Sequence, residues 1–422
     1  MFSYLLNLGE KMNKFIITTV AILSATSAFA GGFEASRLDT KFMYEEGNFA
    51  EVSHASLNYS VQAKTFRLTN VGTAGGNPPW PVGTGVEANE ESVKSSQART
   101  AASFKTNYGR LEVGFSRYKS GSIQLSGSAS KYYTNDCAGD ATKCGGAVPN
   151  TNVNINTLAL LGKMRASENF AVLFGIKKTS LEDSRVTTSR GNFTITGESK
   201  NAGIVGFAYS KPDIALRLEL LMQPSSRISA KTAFTISDYA KSLTTTAVAL
   251  GLSDCTVAQA SSANFNTTMI SPAKTTLNFQ SGVAKDTLVF GSIHRVDWGS
   301  AQINADTGCS ATRAASSFWN TTTYTFGVAR KISETLALTS SFTKETGGEK
   351  TTASLFTVNN GYNALNIGAR YKVGRATISA GYNYTKLGNI DVFALSTAPT
   401  RNYAAYKNNS VSAFGVKVGY NF

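Results

Sequence analysis

The chain has 422 residues, 42% of them hydrophobic and only 16% charged, with 37 glycines and a formal net charge of +14. Beyond the N-terminus no run of about 18 uncharged apolar residues is long enough to cross a bilayer as a helix, so a membrane role requires another architecture. The basic surplus is scattered rather than gathered in a Lys/Arg block, which argues against nucleic acid as a partner.

At the start, Lys14 precedes the apolar stretch Phe15 to Leu23, and Ala28-Phe29-Ala30 stands before Gly31-Gly32. Charge, length and small-residue box together are those of a secretory signal peptide cleaved after Ala30. Met12 offers a compact alternative start with a basic n-region. Residues 31–47 then form a short segment ahead of the first strand, and 48–422 the main domain.

Period-two alternation recurs along most of the remaining chain, the mark of strands with one apolar face. Ala55, Leu57, Tyr59 and Val61 alternate with Ser56, Asn58 and Ser60, and Leu111, Val113 and Phe115 alternate with Glu112, Gly114 and Ser116. Ile214, Leu216, Leu218 and Leu220 enclose Arg217 and Glu219, charges tolerable in a strand only where that face meets water. The apolar face is then expected to meet lipid. Strands are expected near 49–63, 97–106, 110–118, 152–163, 170–179, 196–209, 214–222, 275–284, 287–297, 317–330, 335–344, 363–372, 375–385 and 410–422.

Short turns such as Lys285-Asp286 alternate with long connections at 64–96, 119–151, 223–274, 298–316 and 345–362. That is the habit of outer-membrane barrels, whose long loops are extracellular. The last strand carries Phe414, Val416, Val418, Tyr420 and Phe422 on one parity, and its terminal Phe422 resembles the signal read by the barrel-assembly machinery. The fold expected is an all-β transmembrane antiparallel barrel of about 14 strands in the outer membrane of a Gram-negative bacterium.

Four cysteines, Cys137, Cys144, Cys255 and Cys309, fall in the long loops. In an oxidising compartment an even number favours disulfides, with Cys137 to Cys144 closing one loop and Cys255 to Cys309 tying two together. No C-x-x-C motif supports a zinc site, and the sequence calls for no metal or other cofactor.

His54 and His294 lack a nucleophile motif, so no enzymatic activity is expected. His54, Arg217, Glu219, His294, Arg295 and Asp297 are read as polar lumen residues; Arg217 and Glu219, with Lys163, Lys177, Arg370 and Lys417, are read as lumen lining or strand-end side chains that snorkel, either a polar track that tunes passage or charges that pair within the barrel. Trp298, Trp319, Tyr371, Tyr382, Tyr384 and Tyr420 suit interfacial girdles. Lipid and lipopolysaccharide phosphates are the partners expected for the scattered cations.

Two stretches carry a resemblance. FMYEEGNFAEVSHASLNYSVQAK (Phe42 to Lys64) and LNFQSGVAKDTLVFGSIHRVDWGS (Leu277 to Ser300) resemble the FadL family of outer-membrane long-chain fatty-acid transporters, in particular its alphaproteobacterial members. The matching segments are Gly47 to Glu51 and Gly282 to Trp298. The resemblance implies fourteen strands, a lumen plugged by an N-terminal hatch, and passive transport of a hydrophobic small molecule of the fatty-acid class with lateral release. The hatch here is short, and the Asn-Pro-Ala segment of longer family hatches is missing. Val248, Leu250, Leu252, Met269 and Ile270, in the 223–274 connection, are then the candidate capture loop. A general diffusion porin is the alternative, and a surface adhesin or structural barrel a third reading.

Overall fold

A computed structural model describes residues 32–73, 81–93, 96–127, 148–188, 191–236, 262–306, 313–314, 316–348, 356–393 and 402–422. Cys137, Cys144, Cys255, Cys309, Val248, Leu250, Leu252 and the signal segment lie outside the described residues.

Fourteen strands form the wall: β1 (Phe49–Ser60), β2 (Gln97–Tyr108), β3 (Leu111–Ser126), β4 (Asn150–Arg165), β5 (Phe170–Leu181), β6 (Glu198–Lys211), β7 (Leu216–Gln223), β8 (Lys274–Ala284), β9 (Thr287–Val296), β10 (Thr321–Lys331), β11 (Leu336–Glu345), β12 (Tyr362–Val373), β13 (Ala376–Leu387) and β14 (Ser410–Asn421). Each pairs antiparallel with its sequence neighbour, and β14 closes the ring on β1 from Phe49–Asn421 to Ser60–Ser410. Closure leaves no free sheet edge in lipid, where an unpaired backbone group finds no water.

Tight turns at one end are made by residues that accept positive φ: Gly109 (75°), Asp286 (58°) and Gly374 (56°). At the opposite, long-loop end the connections are built and not merely coiled. Residues 62–73 and 81–92 join 390–393 and 402–406 in a separate four-stranded sheet. Hairpins 184–188/191–195 and 226–236/262–271 prolong the wall. The 223–274 connection, expected to hold no strand, therefore contains two.

Outward-facing side chains make the apolar band that a bilayer demands. Leu111, Phe115, Phe174, Leu218, Ile367, Phe414 and Val418 are all exposed, while Glu112, Ser116, Arg217 and Glu219 on the other parity are buried in the lumen.

In β1 the expected orientation is reversed. Ala55, Leu57, Tyr59 and Val61 are buried inside, and His54, Ser56 and Asn58 lie on the exposed face with Val52. The reason lies inside the barrel, where this half of the lumen is filled by an apolar plug that takes the strand's apolar parity. Outside, the band has already ended, since Asn58 and Ser60 face Ser412 and Ser410 of β14.

Candidate functional site

Residues 32–48 thread the lumen lengthwise as a hatch. At the long-loop end Phe33 stacks edge-on with Trp298 at 4.7 Å and Phe318 at 5.9 Å. Around them Leu57, Ile123, Ile155 and Met269 form one buried apolar cluster, against which Ile270 and Trp319 pack. Trp298 and Trp319 thus belong to this plug and not to an interfacial girdle, whereas Tyr371, Tyr382, Tyr384 and Tyr420 are exposed on the outer face.

From Glu34 downward the chemistry changes. Glu34 meets Lys274, His294 Nε2 at 3.2 Å and Arg37 Nε at 3.1 Å. Arg37 also donates to Thr323 Oγ1 at 2.9 Å, and that hydroxyl donates to Glu345. Lower down, Lys417 bridges Asp39 and Glu51, both at 3.2 Å. Glu219 accepts from Thr40 at 2.6 Å, Tyr44 at 2.5 Å and Asn278 at 2.9 Å. Nearer the short-turn end, Glu112 gathers Lys105, Lys163 and Arg165, and Arg370 holds Glu45 at 3.4 Å.

The hatch turn Lys41–Tyr44 is seated on a small apolar patch that includes Leu161 and Leu221. Gly114 of β3 makes room for it, since a Cβ there would come within 2.2 Å of Met43 Sδ. A cavity of about 180 Å³ between hatch and wall is edged by Lys41, Asn278, Thr343, Ser103 and Lys417. Leu38 and Phe290 share its lining with these polar groups.

Burial shapes the titration of the hatch. It brings Lys41 down to about 8, helped by Lys417 and Arg217 and opposed by Asp39. For Glu34 burial acts to raise the carboxyl, but Lys274, His294 and Arg37 outweigh it and hold it well below the usual range.

Of the expected lumen group, Arg217, Glu219 and His294 point inward. Arg217 bonds Gln280 at 2.9 Å and lies over the Tyr44 ring. His54 and Arg295 do not point inward: both lie on the exposed parity, Arg295 two residues from exposed Ile293 and next to buried His294. Asp297 falls beyond the end of β9 and accepts from Ser300 at 2.9 Å. The shift of one residue places a side chain on the opposite face of a strand.

The wall itself is interrupted where the two chemistries meet. The β2–β3 ladder runs from Tyr108–Leu111 to Ala101–Tyr118 and stops there, leaving Gln97–Thr100 without a partner on β3. Across the break β3 has a bulge between Lys119 and Gly121. Its backbone turns to the hatch instead: Ala35 N–H donates to Ser120 O, and Ser122 N–H to Phe33 O, both at 2.9 Å. Gly121 permits that approach, since a Cβ would stand 3.0 Å from Phe33. On the other side Arg99 of β2 donates to the carbonyl of Ala35. One hatch residue is therefore hydrogen-bonded to both lips of the opening. β3 loses its alternation there, its buried parity passing from Ser116 and Tyr118 to Ile123 and Leu125 across the bulge, but a local pattern does not say which neighbour the strand leaves.

Together these features define a class: a closed fourteen-stranded membrane barrel, plugged by its own N-terminal segment, which bridges a break in one ladder of the wall. No family model and no curated protein matches the chain. Solved structures do. The crystal structure of a Pseudomonas aeruginosa FadL homologue aligns with a TM-score of 0.68 at 12% identity, covering 93% of this chain and 96% of that one. The Pseudomonas putida toluene transporter TodX aligns at 0.54 and 9% identity, covering 94% and 97%. The Ralstonia pickettii toluene transporter TbuX aligns at 0.52 and 11%, covering 95% and 96%. At these identities the likeness is one of fold.

Proposed function

We propose that the protein carries hydrophobic small molecules across the outer membrane of a Gram-negative bacterium, taking them in through the apolar half of the lumen and releasing them sideways through the β2–β3 break into the bilayer. The break supports this reading most directly. It adjoins the apolar cluster at Ile123 and Ile155, while the way straight on through the barrel is occupied by the hatch and lined with ion pairs. An apolar molecule loses free energy by entering lipid and gains it by entering the ionic half.

The fatty-acid class of cargo follows from the resemblance of Phe42 to Lys64 and Leu277 to Ser300. Toluene is the cargo named for two of the similar structures. No phosphate-cradling Gly-rich loop with a Lys-Ser/Thr pair occurs, so passage follows the gradient. Within the same reading, Met1 to Ala30 is removed on export, Cys137 and Cys144 are bridged, the barrel-assembly machinery reads Phe422, and the exposed cations contact lipopolysaccharide. Intact mass and non-reducing peptide mapping of the membrane fraction check the first two.

The deciding experiment measures labelled fatty-acid uptake and single-channel conductance on one preparation. Uptake with little ion current is the expected result. A large steady current without fatty-acid binding would overturn the transporter reading and promote the porin.

A further inference from the structure

Strands β3 to β6 separate the first break from a second interruption of the wall. The β6–β7 ladder ends at Val205–Met222, and toward the long loops pairing resumes only at Ile195–Thr232, beside Thr196 N–H donating to Lys231 O at 2.8 Å. Between these points residues 197–204 and 223–230 form no ladder with each other, and Pro224 brings no N–H. The space in front of exposed Gly203 is open, since a Cβ there would meet nothing within 4 Å.

This slit begins where the apolar band ends. Toward the long loops, exposed Phe174 and Ile176 of β5 give way to Lys178, and exposed Val205 of β6 gives way to Gly203 and Asn201. Arg117, Leu158, Lys178 and Asn201 are Cα partners in one row across four strands, all exposed. Arg227 and Lys231 are exposed on the far side of the slit. Among the described residues none of these four cations pairs with a carboxylate.

On the lumen side Lys177 lies behind the slit, 2% exposed, with Ala202 of β6 as its strand partner. Its ammonium reaches past β6 to Gln223, the last residue of β7, and donates to Oε1 at 3.2 Å. Glu34, the carboxylate whose field reaches it, is already held by Lys274, His294 and Arg37. Ser226 Oγ, on the unpaired stretch opposite, is buried without a partner. A buried ammonium lacking an anion is costly, and so is unpaired backbone in a wall that lipid surrounds. Water satisfies the backbone but leaves the ammonium unneutralised, whereas a phosphate serves both.

We propose that the slit is the seat of one phosphorylated lipid of the outer leaflet, held as a structural part of the wall and not as cargo. The lipid phosphate enters between 197–204 and 223–230 and accepts hydrogen bonds from the unpaired backbone and from Lys177. Lys178 and Arg227 flank it outside, and the acyl chains lie along exposed Ile176, Val205 and Phe207. Charge-assisted bonds to phosphate oxygens are the strong ones, so a single head group can close the gap that the ladder leaves. The inference rests on the outer-membrane placement proposed above and is independent of the cargo.

Lipid A and its dephosphorylated form, equal in chains and sugar, provide the test, with native mass spectrometry of the purified full-length barrel. One lipid A should stay bound, and dephosphorylation should weaken binding by about 10- to 100-fold. Lys177→Met should weaken lipid A binding by a similar factor, and so should the exposed pair Lys178→Met with Arg227→Met. Lys285→Met, at an exposed position in a short turn, should leave it unchanged. Amide exchange at 197–204 should slow when lipid A is added. Heat-modifiable migration reports folding; the exposed pair carries the comparison if Lys177→Met does not fold. Equal binding of the two lipids, a loss no greater than in Lys285→Met, unchanged exchange at 197–204, or displacement by an equal concentration of inorganic phosphate overturns the proposal. Cargo uptake is read separately: uptake that fails while lipid A stays at the slit defeats the transport reading and leaves this one standing.

Discussion

The two halves of the lumen are built from the same strands yet hold opposite chemistries. Toward the long loops, Phe33 of the hatch is packed among Leu57, Ile123, Ile155 and Trp298. Toward the short turns, the hatch is tied by charges, with Lys417 between Asp39 and Glu51 and with Lys163 and Lys105 on Glu112. The hatch is thus anchored by contacts that water would weaken at one end and by ion pairs at the other, and the wall is broken at their junction. A molecule that prefers the first environment has a physical reason to leave before reaching the second.

The largest effect should come from removing the contrast altogether. Deleting residues 33–44 takes away Phe33 and every hatch charge from Glu34 to Lys41, leaving the wall ladders intact. Planar-bilayer recordings should then show a large steady ion current that the full chain lacks. A closed channel after deletion would mean that the long-loop sheet, and not the hatch, blocks the lumen.

Separate substitutions weigh the halves against each other. Glu112→Gln leaves Lys105 and Lys163 buried without their carboxylate, which should cost about 3–5 kcal/mol in urea-induced unfolding. Leu57→Ala, at a fully buried position of the apolar half, should cost about 2–5 kcal/mol. Only the second should also change the capture of an apolar cargo. A loss of capture in Glu112→Gln of equal size would contradict a division of labour between the halves.

The smallest effect concerns the docking of the hatch. Lys41 falls from 10.5 to about 8 when buried. Between those values the undocked hatch binds more protons than the docked one, so docking should strengthen as pH rises through that window and stay flat below it. Protease protection of the hatch from pH 8 to 10 measures the slope. Lys41→Met should flatten it, and a slope that survives the substitution assigns it to another group.

Much of the wall was legible in the chain itself. Alternation in Leu111 to Phe115, Phe170 to Ile176 and Phe414 to Phe422 located strands whose exposed faces are apolar, because a bilayer selects side chains by parity along each strand. Turn residues such as Asp286 and Gly374 located the short ends. Alternation does not say which side of a strand is apolar for the sake of lipid and which for the sake of a plug. Hence Ala55 to Val61 in β1 turned inward, His54 turned outward, and Trp298 packed in the lumen. The hatch partners Gly114 and Gly121, the bond from Arg99 to the hatch and the ladder break depend on contacts between residues far apart in sequence, as Ala35 does in meeting both Arg99 and Ser120. Period and turn chemistry are local, so the sequence by itself determined the number and direction of the fourteen wall strands, while the strands built into the long connections went unread. Which face looked inward, where the ladder ended and what closed the opening were decided only in the tertiary structure, where the hatch competes with the neighbouring strand for the backbone of β3.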